Sequence, residues 1–240
     1  MALMSARMGL KLNSLMLNGL ENEDLSVLDK KDVYNYVFDA LNTEKPSYFF
    51  ETLKETNQLH FWFYELERLI GFGQSKLFHL EDAWEHTMMV LDLAAKEREN
   101  AYNQTYFMFF ALCHDLGKPI QVKEGDVFII PHEKKSPEAS RAFLERITDN
   151  NDLIDTVSEL TGIHMIPLSL FRENEPYEKI KEFLDSTPYY NDVLLFSKCD
   201  IGGKIHPISD EERIKEVTDY TNWAIEVLDK YNKERKEEND

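Results

Sequence analysis

Residues 106–112 read Tyr-Phe-Met-Phe-Phe-Ala-Leu, a run apolar on nearly every face, and it constrains the fold more than any other stretch. A helix with no polar side gains nothing from water and must be wrapped by others. Around it, apolar residues recur at spacings of three and four: Val33, Tyr36, Val37, Ala40 and Leu41; Phe49, Phe50 and Leu53; Phe63, Leu66, Leu69 and Ile70; Trp84, Met88, Leu91 and Ala95. Each set lines one stripe of a helix. Ser136-Pro137-Glu138 predicts a helix start, with a hydroxyl N-cap, a proline whose missing N–H costs nothing at the first position and an acid at the positive dipole end. Further helices are predicted over 151–160, 177–184, 192–199 and 210–231, and the charged tail 233–240 reads as a frayed helix end. Between 118 and 131 the period is lost, and Ile120, Val122, the turn Glu124-Gly125-Asp126 and residues 127–130 predict a short hairpin. Only 9 Gly and 8 Pro in 240 residues argue against a many-turned sheet protein. The expectation is therefore an all-α bundle with one small β excursion. Gly71-Phe72-Gly73 closes the third helix, since glycine accepts the left-handed conformation cheaply, and sets a soft boundary between regions 1–75 and 76–240.

Charge narrows the partners. With 27 Lys+Arg against 45 Asp+Glu, the net charge is −18, a poor match for a phosphate backbone and a congenial field for a divalent cation. Cys113 and Cys199 form no CxxC pair, which fits buried thiols in a reducing compartment. No stretch of 18 apolar residues and no signal-peptide pattern is present, so the expectation is a soluble cytoplasmic protein with no membrane partner.

The chemistry lies where histidines and acids meet helix ends. His114-Asp115 closes the central apolar helix before Leu116-Gly117-Lys118-Pro119, and Asp200 closes the run 193–199 before Gly202-Gly203. A carboxylate at the negative end of a helix is disfavoured by roughly 0.3–1 kcal/mol, so a compensating cation is expected. Imidazole and carboxylate together suit first-row metals, and His86, in the first turn of its own helix, is a natural third donor. The set His86, His114, Asp115 and Asp200 thus predicts one divalent ion. Lys118, just past a helix end, either neutralises a phosphoryl oxygen or answers the dipole. Cys113 and Cys199 each precede a predicted ligand, and adjacent helix positions point about 100° apart, so these thiols are expected to pack inward. His60, His79 and His206 are assigned to packing or surface.

The order His86, His114-Asp115, Asp200 resembles the H…HD…D pattern of HD-domain metal-dependent phosphohydrolases. The stretches Phe49-Phe50-Glu51-Thr52-Leu53, Glu65-Leu66, Gly71 to Gln74, His79-Leu80-Glu81-Asp82-Ala83-Trp84-Glu85-His86-Thr87 and Ala111 to Pro119 are similar to the neck and HD body of bacterial CCA-adding tRNA nucleotidyltransferases. Ser5 to Leu10 resembles the segment that follows the head domain there, and the likeness covers roughly residues 5–205. Nothing in the chain matches that family's Gly-Ser and Asp-x-Asp head motifs, nor a phosphate-cradling GxxxxGK[ST]. By this reading residues 1–75 form a helical neck-like region and 76–240 an HD domain.

The resemblance implies hydrolysis of small phosphoesters by a metal-activated water: 2′,3′-cyclic nucleotides, nucleotides or other phosphomonoesters. It implies one or two divalent ions, from nickel, manganese, cobalt, iron, magnesium or zinc. Asp115, Lys118 and His132 are the candidate catalytic residues. In two-metal HD proteins the order H…HD…H…H…D places His132 and His164 as ligands of a second ion bridged by Asp115; the alternative is that both contact substrate phosphate or lie exposed. The alternative function is a tRNA-binding body or fragment of a CCA tRNA nucleotidyltransferase, with little or no hydrolase activity of its own.

Overall fold

The computed structural model describes residues 1–20, 23–73, 81–124, 127–205 and 209–238, with the backbone alone at 14, 123–124 and 127–129. Among these, the chain is helical from end to end: α1 (Ala2–Met8), α2 (Ser14–Leu17), α3 (Lys30–Leu41), α4 (Ser47–Glu55), α5 (Leu59–Trp62), α6 (Tyr64–Glu67), α7 (Ala83–Glu97) and α8 (Gln104–Cys113). A short antiparallel hairpin follows, β1 (Val122–Glu124) and β2 (Val127–Ile130), as the loss of helical period predicts. Then come α9 (His132–Ile147), α10 (Asn151–Ile163), α11 (Ile166–Arg172), α12 (Tyr177–Ser186), α13 (Tyr190–Gly202) and α14 (Asp210–Glu237).

The apolar run forms α8, and Phe107, Phe109, Phe110, Ala111, Leu112 and Cys113 are all fully buried. Full burial of each large side chain contributes about 1.5–3 kcal/mol, so α8 anchors the bundle through its composition. One buried apolar cluster runs without interruption from Ala6 to Tyr231, so residues on both sides of position 75 share a core. No helix among the described residues is long and apolar enough to cross a membrane. An apolar cavity of about 300 Å³, lined by Leu25, Val33, Phe49, Leu53, Trp62 and Phe63 among others, lies within the N-terminal 63 residues.

Four sequence expectations need correction. The stripe at 63–70 is helical only over α6: Phe63 lies at the bend after α5 (φ −122°, ψ 37°), its ring edge-on to Phe49 and Phe50, and Leu69 and Ile70 follow in a turn closed by Leu69 N–H to Leu66 O and Ile70 N–H to Glu67 O. Ser136 does not cap a helix. α9 starts four residues earlier, at His132, and carries Pro137 inside it. The buried Ser136 hydroxyl instead accepts a hydrogen bond from Gly117 N–H at 3.2 Å, a tertiary contact that outweighs the local start signal. The tail is helical to Glu237 rather than frayed, as i,i+4 pairing of Lys233 with Glu237 assists, and Gly202 lies inside α13 with Gly203 as its cap. Helices α1, α2, α5 and α11 have no counterpart in the sequence expectations, each being seven residues or fewer. Gly71, in contrast, takes the left-handed φ of 68° that its position after the third stripe predicts.

Two glycines position the site by close approach. At Gly117 a Cβ would fall 2.3 Å from Ser136 N and 2.4 Å from His132 O, so the corner after α8 presses its backbone onto the first turns of α9. At Gly203 a Cβ would fall 2.4 Å from Val90 Cγ2, so the end of α13 lies directly against α7. At Gly117 no larger residue fits without moving the backbone of α9, and at Gly203 a Cβ would require the Val90 side chain to shift.

Candidate metal centre

Each candidate side chain sits where a helix begins or ends. His86 lies in the early turns of α7, held by a capping box in which Asp82 accepts from Glu85 N–H at 2.8 Å and Glu85 reaches back to Asp82 N–H. His114 is the C-cap of α8, with Asp115 next to it; His132 opens α9; His164 is the C-cap of α10; and Asp200 lies in the last turn of α13. The tight corner at Gly117 brings His132 to Asp115, and the contact of Gly203 with α7 brings Asp200 to His86.

The six side chains converge as two adjoining groups of possible metal donors, His86 with His114 and Asp200, and Asp115 with His132 and His164. In the first, His86 Nε2 is 2.9 Å from Asp200 Oδ1. Asp115 faces both: its Oδ2 is 3.1 Å from His114 Nε2 and 3.6 Å from His86 Nε2, while its Oδ1 is 3.3 Å from His132 Nε2. His132 Nε2 is also 3.3 Å from His164 Nε2.

The hydrogen bonds on the far side of three rings fix which nitrogen is turned to the cluster. His86 Nδ1–H donates to Gly203 O at 3.1 Å, His114 Nδ1–H to Ala111 O at 2.9 Å and His164 Nδ1–H to Thr161 O at 2.7 Å. A carbonyl only accepts, so in a neutral ring each Nδ1 carries the proton and each Nε2 presents a lone pair to the cluster. Backbone carbonyls that orient ring nitrogens in this way are the usual outer support of metal-ligating histidines. His114 Nε2 is buried with no hydrogen-bond partner, and Asp115 Oδ2 makes no well-directed hydrogen bond although Lys118 Nζ lies 2.6 Å away.

Ring nitrogens turned on carboxylates are held there by a shared proton or by a cation between them. Two donors each about 2.1 Å from one ion are about 3.0 Å apart at a right angle and about 3.4 Å apart at the tetrahedral angle. The closest contacts here, 2.9 to 3.3 Å, match that span, and the residues present fit a divalent ion by geometry and donor chemistry.

Burial sets the proton affinities. It pushes His132 down to about 3 and His164 to about 4, and lowers His86 as well. At His114 burial also disfavours the charged ring, but the Asp115 and Asp200 carboxylates outweigh it and the pKa rises. Burial opposes ionisation of Asp115 and Asp200 too. His114 and Lys118 around Asp115, and Lys204 and His86 around Asp200, nevertheless hold both well below the usual carboxylate range. Lysines thus supply part of the positive charge that helix-end aspartates require.

Two further groups escaped the sequence reading. Glu81 is buried, accepts from Ile205 N–H at 3.0 Å and faces His86 Nδ1 at 3.8 Å. Lys204 Nζ lies 4.0 Å from Asp200 Oδ2. The signal for Lys204 was the parallel between Asp115-Leu116-Gly117-Lys118 and Asp200-Ile201-Gly202-Gly203-Lys204, an aspartate, a glycine corner and a lysine in each. Cys113 and Cys199 are buried, and desolvation pushes both thiols up. His60 is exposed, and His79 and His206 lie outside the described residues.

A helical bundle that gathers four histidines and two aspartates from its helix ends is an HD-type domain. A family model for the HD domain matches residues 83–224, and the chain belongs to that family. Among curated proteins it is similar to the multifunctional CCA protein of Actinobacillus pleuropneumoniae serotype 5b, 33% identical over 142 residues, covering 59% of this chain and 34% of that protein. The multifunctional CCA protein of Haemophilus ducreyi is 30% identical over 188 residues (78% of this chain, 42% of that protein), and that of Pseudoalteromonas atlantica 29% over 224 residues (90% and 53%). The chain therefore spans about a third to a half of the length of these relatives.

Proposed function

We propose that this chain is a metal-dependent phosphohydrolase of small phosphoesters, with 2′,3′-cyclic nucleotides, nucleotides and phosphomonoesters as its substrate class. The observation that carries the reading is the set of Nε2 lone pairs on His86, His114 and His164, fixed by carbonyls behind them and turned onto Asp200 and Asp115. His86, His114 and Asp200 would hold one ion, and His132 and His164 with Asp115 a second; Asp115 turns one oxygen toward each group. Four imidazoles in the donor set favour nickel, cobalt, iron, manganese or zinc over magnesium, which prefers oxygen ligands. A divalent ion in such a site would lower the pKa of a bound water towards neutrality and polarise a phosphoryl oxygen.

The chain's own groups do the rest. Lys118 keeps Asp115 ionised and presents an ammonium to charge that develops on the phosphoryl oxygens. His132 is the most exposed of the site histidines; with Nε2 turned to Asp115 as a ligand nitrogen, its Nδ1, 3.5 Å from Glu133, is left to donate a hydrogen bond toward the approaching ester or Glu133. Glu81 ties Ile205 to α7 and keeps the ring of His86 in place. In this arrangement no serine or cysteine nucleophile takes part. Residues 1–75 serve as a neck-like region and 76–240 as the HD domain. The test is elemental analysis of the purified protein followed by a phosphoester screen with each metal: turnover that needs the metal and is lost in Asp115→Ala supports the reading, and full turnover in Asp115→Ala removes it.

The likeness to multifunctional CCA proteins, which reaches 90% of this chain, favours a second reading, a tRNA-binding body with little hydrolysis of its own. A charge of −18 weighs against broad RNA contact. A tRNA gel shift across a salt series separates the two: binding through phosphates weakens steeply with salt, and no shift at low salt removes this reading.

A further inference from the structure

The segment after α13 is held at each step. Gly203 N–H donates to Cys199 O at 2.8 Å, its carbonyl accepts from His86 at 3.1 Å, and Ile205 N–H donates to Glu81 at 3.0 Å. The close contact of Gly203 with Val90 leaves this stretch no room to shift. Lys204 lies between the two anchored residues, so its backbone position is fixed relative to the ring of His86.

Its ammonium is not committed in the way that of Lys118 is. Lys118 closes on Asp115 at 2.6 Å, whereas the one ion-pair partner of Lys204 among the described residues, Asp200 Oδ2, is 4.0 Å away, too far for a hydrogen bond. A lysine present only to neutralise Asp200 would gain by closing that gap. The water-facing side of the cluster is also distinctive. His86, His114 and Asp115 have side chains 1–2% exposed, while Lys118, His132 and Lys204 are 13, 18 and 12% exposed. Among the described residues, the more exposed side chains of this rim are nitrogen donors, Lys118, His132 and Lys204, with the carboxylates of Glu133 and the less exposed Asp200 beside them, in a protein of charge −18. Such a rim selects an anion, and an ammonium is a compact partner for a phosphoryl oxygen.

We propose that Lys204 is a substrate-binding residue whose ammonium takes a non-bridging phosphoryl oxygen of the ester at the His86–His114–Asp200 group, alongside Lys118. The inference rests on the phosphohydrolase reading for its substrate class. It predicts that Lys204 acts on phosphate affinity more than on metal retention.

The test is calorimetric titration of inorganic phosphate into manganese-loaded wild type, Lys204→Met and Lys204→Arg, with manganese measured on the same samples and affinity referred to loaded sites. Removing one charge-assisted hydrogen bond is expected to weaken phosphate binding about tenfold or more in Lys204→Met, and Lys204→Arg recovers most of it. With p-nitrophenyl phosphate as substrate, KM rises more than kcat falls. Unchanged phosphate affinity per loaded site in Lys204→Met overturns the inference, whether or not manganese is lost, as does a loaded wild type that binds no phosphate. If wild type binds phosphate through Lys204 yet hydrolyses no phosphoester with any metal, the inference stands and the reaction reading falls.

Discussion

His86 Nε2 and Asp200 Oδ1 lie 2.9 Å apart, one from the early turns of α7 and the other from the last turn of α13, and the second nitrogen of the same ring is already committed to Gly203 O. The pair needs a shared proton or a shared ion. If it is an ion, Asp200→Asn keeps the shape and removes the charge that holds it. With manganese as the probe, an ion bound only by the folded state would stabilise it by about 2.7 kcal/mol at a hundredfold excess over Kd, and each tenfold loss of affinity would remove about 1.4 kcal/mol of that gain. Asp200→Asn is expected to lose most of the metal-dependent rise in Tm seen by differential scanning fluorimetry, and a rise equal to that of wild type contradicts the assignment.

The corner at Gly117 joins the two halves of the cluster. A Cβ there meets backbone atoms of α9 at 2.3–2.7 Å, which no side-chain rotation relieves. Gly117→Ala is expected to destabilise the fold by roughly 1–3 kcal/mol through overpacking and to weaken the His132–His164 group by moving His132 away from Asp115. Urea denaturation measures the first effect and metal stoichiometry the second. Wild-type stability in Gly117→Ala is the contrary result.

Acidity is expected to destabilise the metal-free protein from just below neutrality. His132 and His164 are held neutral in the fold, with pKa values lowered by burial to about 3 and about 4, whereas in the unfolded chain they ionise near 6.5. Their contribution is therefore present above pH 6.5 and is lost as the pH falls through about 4 and about 3. His86 acts in the same direction, and Asp115 and Asp200, lowered in the fold, add losses below pH 3.8. His114, raised by its carboxylate neighbours, opposes them and contributes stability below pH 6.5. Each net proton taken up on unfolding costs up to about 1.4 kcal/mol per pH unit. Urea midpoints after chelation should fall between pH 7 and pH 5, and manganese, which needs neutral imidazoles, should steepen the dependence. A midpoint that rises on acidification contradicts the burial of these rings.

What the sequence reveals depends on how local the cause is. Helix α8 is legible because its apolar composition leaves it no surface to expose, and the placement of His114 and Asp200 at helix ends is legible because apolar runs stop at glycine there. The hairpin is legible from the loss of helical period. Ser136 misleads because its hydroxyl has a partner in a distant segment, Gly117 N–H, which no local pattern encodes. The stripe at 63–70 misleads because the same apolar spacing is met by a four-residue helix, α6, followed by a turn that carries Leu69 and Ile70, with Phe63 before it packed on Phe49 and Phe50. Lys204 lies four residues after Asp200 and Glu81 five before His86, but Glu81 and the Lys204 segment are joined by the Ile205–Glu81 hydrogen bond and the contact of Gly203 with Val90, a packing fact between α7 and the end of α13.

The central claim is that these histidines and aspartates close on a metal ion, and anomalous diffraction from crystals soaked in manganese tests it most directly. The account predicts a peak about 2.0–2.2 Å from His86 Nε2, His114 Nε2 and an Asp200 oxygen, with Asp115 shared between it and any second peak at His132 and His164. A map with no peak among these side chains, in crystals that show manganese bound elsewhere, contradicts it.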